Sequence, residues 1–114
     1  MSDVKQPEDA AVSTRKYASF THAFEDPWAG ESAEDGKSVR LTFRFAKPTK
    51  VQLQRLQDKA TKNSTQAARN LLLDIIHPDD KEQFLGSAEE YPGITASFAG
   101  AILKGVGISA DLGN

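Results

Sequence analysis

The chain has 114 residues and a formal net charge of −2, which limits it to one domain. It contains no cysteine, which excludes a disulfide framework and a thiolate metal site. The start, MSDVKQPEDA, is too polar for a signal peptide, and the longest nearly apolar run, around Ala96–Leu103, falls far short of the about 20 residues that cross a bilayer, so no membrane association is expected.

Residues 1–16 are short, polar and without a period, and read as a disordered tail. A single domain is expected over 17–107, with a C-terminal tail at 108–114. From Tyr17 to Phe24, Ala18, Phe20, His22 and Phe24 alternate with Tyr17, Ser19, Thr21 and Ala23, which is the period of a strand. Residues 25–37, EDPWAGESAEDGK, form an acidic loop broken by Pro27, Gly30 and Gly36. Trp28 within it has two readings. The favoured one folds the indole back onto the sheet; the sharper one makes it an exposed aromatic anchor for a partner. Val39, Leu41, Phe43 and Phe45 then alternate with Arg40, Thr42 and Arg44. This predicts a second strand with one apolar and one basic face, paired with the first as an antiparallel hairpin.

Pro48 ends that strand, and Thr49 followed by Gln52 has capping-box spacing. A helix is expected from there to about Lys62, with Val51, Leu53, Leu56 and Ala60 as a modest apolar side. The most apolar segment follows, Ser64–His77. Its residues Ala67, Ala68, Leu71, Leu72, Ile75 and Ile76 make a broad helical stripe, with Leu73 an apolar exception on the polar side. Ser64 is the expected N-cap, and Pro78 should stop the helix. A third helix is predicted from Pro78 to about Glu90, with Phe84, Leu85 and Ala88 inward and Asp79 and Asp80 beside its positive end. After the turn Tyr91-Pro92-Gly93, a fourth helix places Ile94, Phe98, Ala101 and Ile102 on one face and ends at Gly105 and Gly107. The fold class is α+β, mostly helical: an N-terminal strand or β-hairpin packed on about four short helices, organised around the central apolar helix.

No residue pattern carries catalytic or metal chemistry. His22 and His77 lie on different elements without ligand spacing. Asp79 with Asp80 and Glu89 with Glu90 are sequence neighbours on helices, so they do not oppose each other across a pocket as an acid–base pair must. Ser13 and Lys16 match a nucleophile motif only by chance in a polar tail. Gly105-Val106-Gly107 has no strand before it and no helix after it, so it is no phosphate loop. No enzyme, cofactor or metal is expected.

The charge is segregated. Residues 1–36 sum to −5, residues 37–62 to +7 and residues 63–114 to −4. Arg40, Arg44, Lys50, Arg55 and Lys59 therefore form, with Trp28, the candidate partner-binding set. The plainer reading of the basic block is a solvated face. A nucleic-acid module is the alternative, but its stacking aromatics should share the basic face, whereas Phe43 and Phe45 point the other way. The reliably patterned core is only about 75 residues, small enough that a partner or self-association is worth expecting. Ala96, Ala99 and Gly100 leave a small-residue surface that suits either packing within the monomer or a homo-oligomer.

Three stretches, FRFAKPTKVQLQRL (43–56), ARNLLLDIIHPDD (68–80) and YPGITASFAGAILKGVG (91–107), share an order: a strand ending in Lys-Pro-Thr, a polar helix, an apolar helix closed by proline, then Pro-Gly and a last helix ending in glycine. In this order and spacing the run Leu41–Gly107, about 60% of the chain, resembles the tail assembly chaperones of long-tailed bacteriophages and prophages. The acidic residues 1–36 lie outside the resemblance. It implies a small non-enzymatic protein of the infected host cytoplasm that binds the long helical tape measure protein until tail tube forms around it, often produced with a longer frameshifted form. The competing expectation is a structural tail or neck component retained in the particle.

Overall fold

A computed structural model of the chain describes residues 16–29 and 38–108. The expectations for residues 1–15, for 30–37 of the acidic loop and for 109–114 lie outside the described residues.

Two strands, β1 (Tyr17–Glu25) and β2 (Ser38–Ala46), pair antiparallel with Phe20 opposite Phe43 and Thr21 opposite Thr42. The alternation read from sequence sets this register, because a one-residue slip would turn the phenylalanines of the slipped strand to solvent. The hydroxyls of Thr21 and Thr42 meet at 2.8 Å on the outer face. Four helices follow: α1 (Lys50–Ala60), α2 (Ser64–Ile75), α3 (Lys81–Glu90) and α4 (Ile94–Gly105). The fold is therefore α+β and mostly helical, a hairpin packed on four helices.

The core lies where the hairpin meets α2, α3 and α4. Phe43, Phe45, Phe84 and Phe98 are each at most 1% exposed. Their rings pack edge-on or tilted, with Phe43–Phe84 and Phe43–Phe98 both at 5.4 Å and Phe45–Phe98 at 5.7 Å, the geometry that ring quadrupoles favour. Leu71, Leu72 and Ile75 of α2 and Ile94 and Ile102 of α4 close around this cluster. The central helix does supply core, but it shares the centre with an aromatic cluster contributed by β2, α3 and α4.

Helix ends depart from the sequence reading in instructive ways. Asn63, not Ser64, caps α2: its side-chain oxygen accepts the Gln66 N–H at 3.0 Å. The helix stops at Ile75, two residues short of His77, because Pro78 forces the residue before it out of helical conformation. Ile76 becomes extended instead and bridges Phe45, while the His77 N–H donates to the Arg44 carbonyl at 2.8 Å. This covers part of the outer edge of β2, which would otherwise expose unpaired backbone. Pro78–Asp80 is a 3-10 turn, with the Asp79 N–H donating to His77 Nδ1 at 3.0 Å, and α3 begins only at Lys81.

The expected box at Thr49 is present: the Gln52 N–H donates to Thr49 Oγ1 at 3.1 Å and the Thr49 N–H to Gln52 Oε1 at 2.9 Å. Yet α1 contains no buried residue, and Val51, expected on its apolar side, is 60% exposed. On α4, Ala101 is exposed and Ala99 takes the inward place beside Phe98. Ala99 is thus separated from the exposed Ala96 and Gly100, and the three do not form one small-residue surface. The chain end of α4 is closed by Gly107 at φ +92°, with the Ile108 N–H on the Leu103 carbonyl at 2.9 Å and the Gly107 N–H on Lys104 at 3.0 Å. This double closure needs a left-handed residue that glycine adopts without penalty.

Candidate functional site

The helices α1 and α2 are joined by Thr61–Asn63 alone and pack against each other. Because α1 buries nothing fully, the two leave a groove of about 720 Å³ between them. Its apolar side is formed by Leu56 of α1 and by Ala67, Leu71 and Leu73 of α2. Arg55, Lys59 and Lys62 line it from the α1 side, with Asp58 and Asp74 interspersed. Leu73, the exception to the helical stripe, finds its explanation here: it is half-buried and lines the groove. That exception was the one sign in the sequence that α2 has a second apolar face.

The predicted partner-binding residues are thus divided. Arg55 and Lys59 come together on the groove. Lys50 sits exposed at the first position of α1 and does not line it. Arg40 is exposed on the outer sheet face. Arg44 is engaged within the molecule. Its Nε and Nη2 donate to Asp80 Oδ2 and Oδ1 at 3.0 and 2.8 Å, and its backbone N–H donates to Oδ2 at 2.8 Å. Hydrogen bonding from Arg44 holds the Asp80 carboxyl below the usual carboxylate range despite the opposing effect of partial burial, and the same bond raises the guanidinium. Asp80 therefore does more than sit at the positive end of a helix: it latches the 3-10 turn to β2.

Trp28 is 90% exposed, so the favoured reading, an indole folded back onto the sheet, is overturned. The cause is Asp26. Its Oδ1 accepts the Trp28 backbone N–H at 2.8 Å, its carbonyl accepts the Ala29 N–H at 3.2 Å, and its Oδ2 accepts the Tyr91 hydroxyl at 2.8 Å. An aspartate closing a turn on its own downstream backbone fixes the chain direction locally, and the Tyr91 bond ties that turn to the α3–α4 junction. The same bond to Asp26 pushes the Tyr91 hydroxyl up to about 12. Asp26 and Tyr91, which place Trp28, were not singled out in the sequence; Asp-Pro-Trp carries a turn signal that could have found the first. Beside the indole lies a second concavity of about 540 Å³, lined by Phe24, Pro27, Tyr91, Pro92 and Ile94.

Among the described residues no three His, Cys, Asp or Glu side chains converge as a metal site would require, and no helix is long and apolar enough to cross a membrane. The arrangement offers surfaces for docking.

No curated protein matches the chain. Among solved structures the chain is similar to the uncharacterised protein rbstp2171 from Bacillus stearothermophilus, with a TM-score of 0.66 at 22% identity, covering 92% of this chain and 95% of that one. At that identity the likeness is one of fold. A family model described as a domain of unknown function, DUF6848, matches residues 29–113; the chain belongs to that family.

Proposed function

We propose that this protein is a non-enzymatic tail assembly chaperone of the long-tailed phage type, acting in the host cytoplasm to hold the tape measure protein before tail tube encloses it. The observation that carries the proposal is the α1–α2 groove, with its apolar side of Leu56, Leu71 and Leu73 and its cations Arg55, Lys59 and Lys62. A groove of this kind fits the apolar stripe of an amphipathic helix whose flanks are acidic. The ordered sequence resemblance over Leu41–Gly107 supports the same reading. The groove lining contains no aromatic residue, which weighs against stacking of nucleic-acid bases there.

The test is a titration of a tape measure fragment, DNA and RNA at two salt concentrations, with Arg55→Glu/Lys59→Glu beside the wild type. The fragment should bind with mild salt dependence, because apolar burial dominates such contacts, and the variant, with the apolar lining intact but two cations reversed, should bind it more weakly. Steeply salt-sensitive binding to nucleic acid alone would overturn the proposal. Mass spectrometry of purified particles separates a chaperone from a structural tail component: the chaperone should be absent.

A further inference from the structure

We infer that Trp28 of one copy docks into the α1–α2 groove of a second copy, giving head-to-tail self-association. Trp28 is the chain's only tryptophan and, at 90% exposure, the most exposed large hydrophobic side chain among the described residues. Its backbone is also held in place. The bonds from the Trp28 N–H to Asp26 and from the Tyr91 hydroxyl to the same carboxylate fix its turn against the fold. The backbone that carries the indole is thereby fixed, so docking has only the side chain to order, which costs less than ordering a loop as well.

The groove is the matching receptor. Its lining shares no residue with the surroundings of Trp28, so knob and groove are separate patches of one surface. Charge complementarity selects a second copy as the occupant. The concavity beside Trp28 is lined by Glu25, Asp26 and Glu90 and by no Lys or Arg, whereas around the groove Arg55, Lys59 and Lys62 outnumber Asp58 and Asp74. An indole seated on Leu56 and Leu73 would bring its face within reach of Arg55 or Lys59, where cation–π attraction adds to burial. The contact is heterologous: each copy keeps one free knob and one free groove, so association closes into a ring or continues as a filament. One tryptophan buries roughly 200 Å², well below a stable interface, so the contact is weak and concentration-dependent.

The inference shares its groove with the proposed client but is read without any client, so either can fail alone. Sedimentation velocity and intrinsic fluorescence are measured from roughly 10 μM to 1 mM, the range of weak association. Wild type should grow in sedimentation coefficient while its single tryptophan shifts to the blue. Trp28→Ala and Arg55→Glu/Lys59→Glu should each weaken association by about tenfold or more, with unchanged melting by circular dichroism. An equimolar mixture of the two variants should regain a 1:1 dimer, because one supplies the groove and the other the knob. The only tryptophan in that mixture belongs to the groove variant, so its blue shift reports the contact directly. A wild type that stays monomeric with solvent-exposed emission overturns the inference. So does association that survives Trp28→Ala, or variants that do not complement.

Discussion

The Arg44 guanidinium and the Asp80 carboxylate, 36 residues apart, meet in a two-pronged pair at 2.8 and 3.0 Å, and the same carboxylate accepts the Arg44 backbone N–H. One aspartate thus satisfies an edge N–H of β2 and anchors the turn that starts α3. The pair is only partly shielded, with side-chain exposures of 42% for Arg44 and 15% for Asp80, so screening by water reduces its value. Asp80→Asn should cost about 1–2 kcal/mol, the range for a charge-assisted bond discounted for exposure. The folded pKa of Asp80 lies below its unfolded value. Its contribution is therefore present above about pH 4, the unfolded value, and is lost as pH falls toward and through the folded one. Thermal melts between neutral and acid pH should show wild type and Asp80→Asn converging at low pH. Parallel curves at all pH values would mean the pair does not act as a charged latch.

Tyr91 gives a signal at the other end of the scale. Its hydroxyl, raised to about 12 by donating to Asp26, stays protonated in the folded state where an unfolded tyrosine, near 10, has begun to ionise. The stability it supplies is full below about pH 10 and is lost as pH rises toward 12. Ultraviolet titration of wild type minus Tyr91→Phe should isolate this late-ionising phenol. Tyr91→Phe should also loosen the Trp28 turn, read as faster exchange of the Trp28 amide proton.

Leu72 is fully buried against the aromatic cluster. Leu72→Asp places an unpaired carboxylate there, at a cost on the order of 4 kcal/mol or more, enough to unfold a domain of this size. Circular dichroism should show loss of cooperative melting, and a wild-type melt would overturn the placement of this side chain.

How much of this was legible in the sequence follows the range of each interaction. Both strands, their pairing and four helices were readable, because alternation and the 3.6 period act over neighbouring residues. The Thr49–Gln52 box was readable for the same reason. Ile76 was not: its apolar character fits a helical stripe, but Pro78 and the waiting edge of β2 draw it into a bridge. Arg44 has the look of a surface cation in the sequence because its partner lies 36 residues away, and no local pattern announces Asp80. The expected burial of Trp28 fails for a related reason. Apolar surface argues for burial, yet Asp26, held by the distant Tyr91, turns the backbone so that the indole faces water. On the candidate site, Arg55 and Lys59 were placed correctly on one helix, but the groove beside them depends on how α1 and α2 pack, which only Leu73 hinted at.

The dependence of α1 on its cap yields the last prediction. No residue of α1 is buried; Leu56, which packs against the core cluster, is only half-buried. An 11-residue helix is marginal by itself in water, so the reciprocal bonds between Thr49 and Gln52 carry more of its stability than a cap does on a well-packed helix. Thr49→Ala removes the side-chain acceptor and should cost about 1 kcal/mol. The loss should be local, since elements with little burial open independently of the core. Hydrogen exchange should then quicken across Lys50–Ala60 while Leu71, Leu72 and Phe98 keep wild-type protection. Because α1 forms one wall of the groove, any partner of that groove should bind Thr49→Ala more weakly although every groove side chain is intact. Uniform acceleration of exchange across the domain would show instead that α1 is part of the cooperative core.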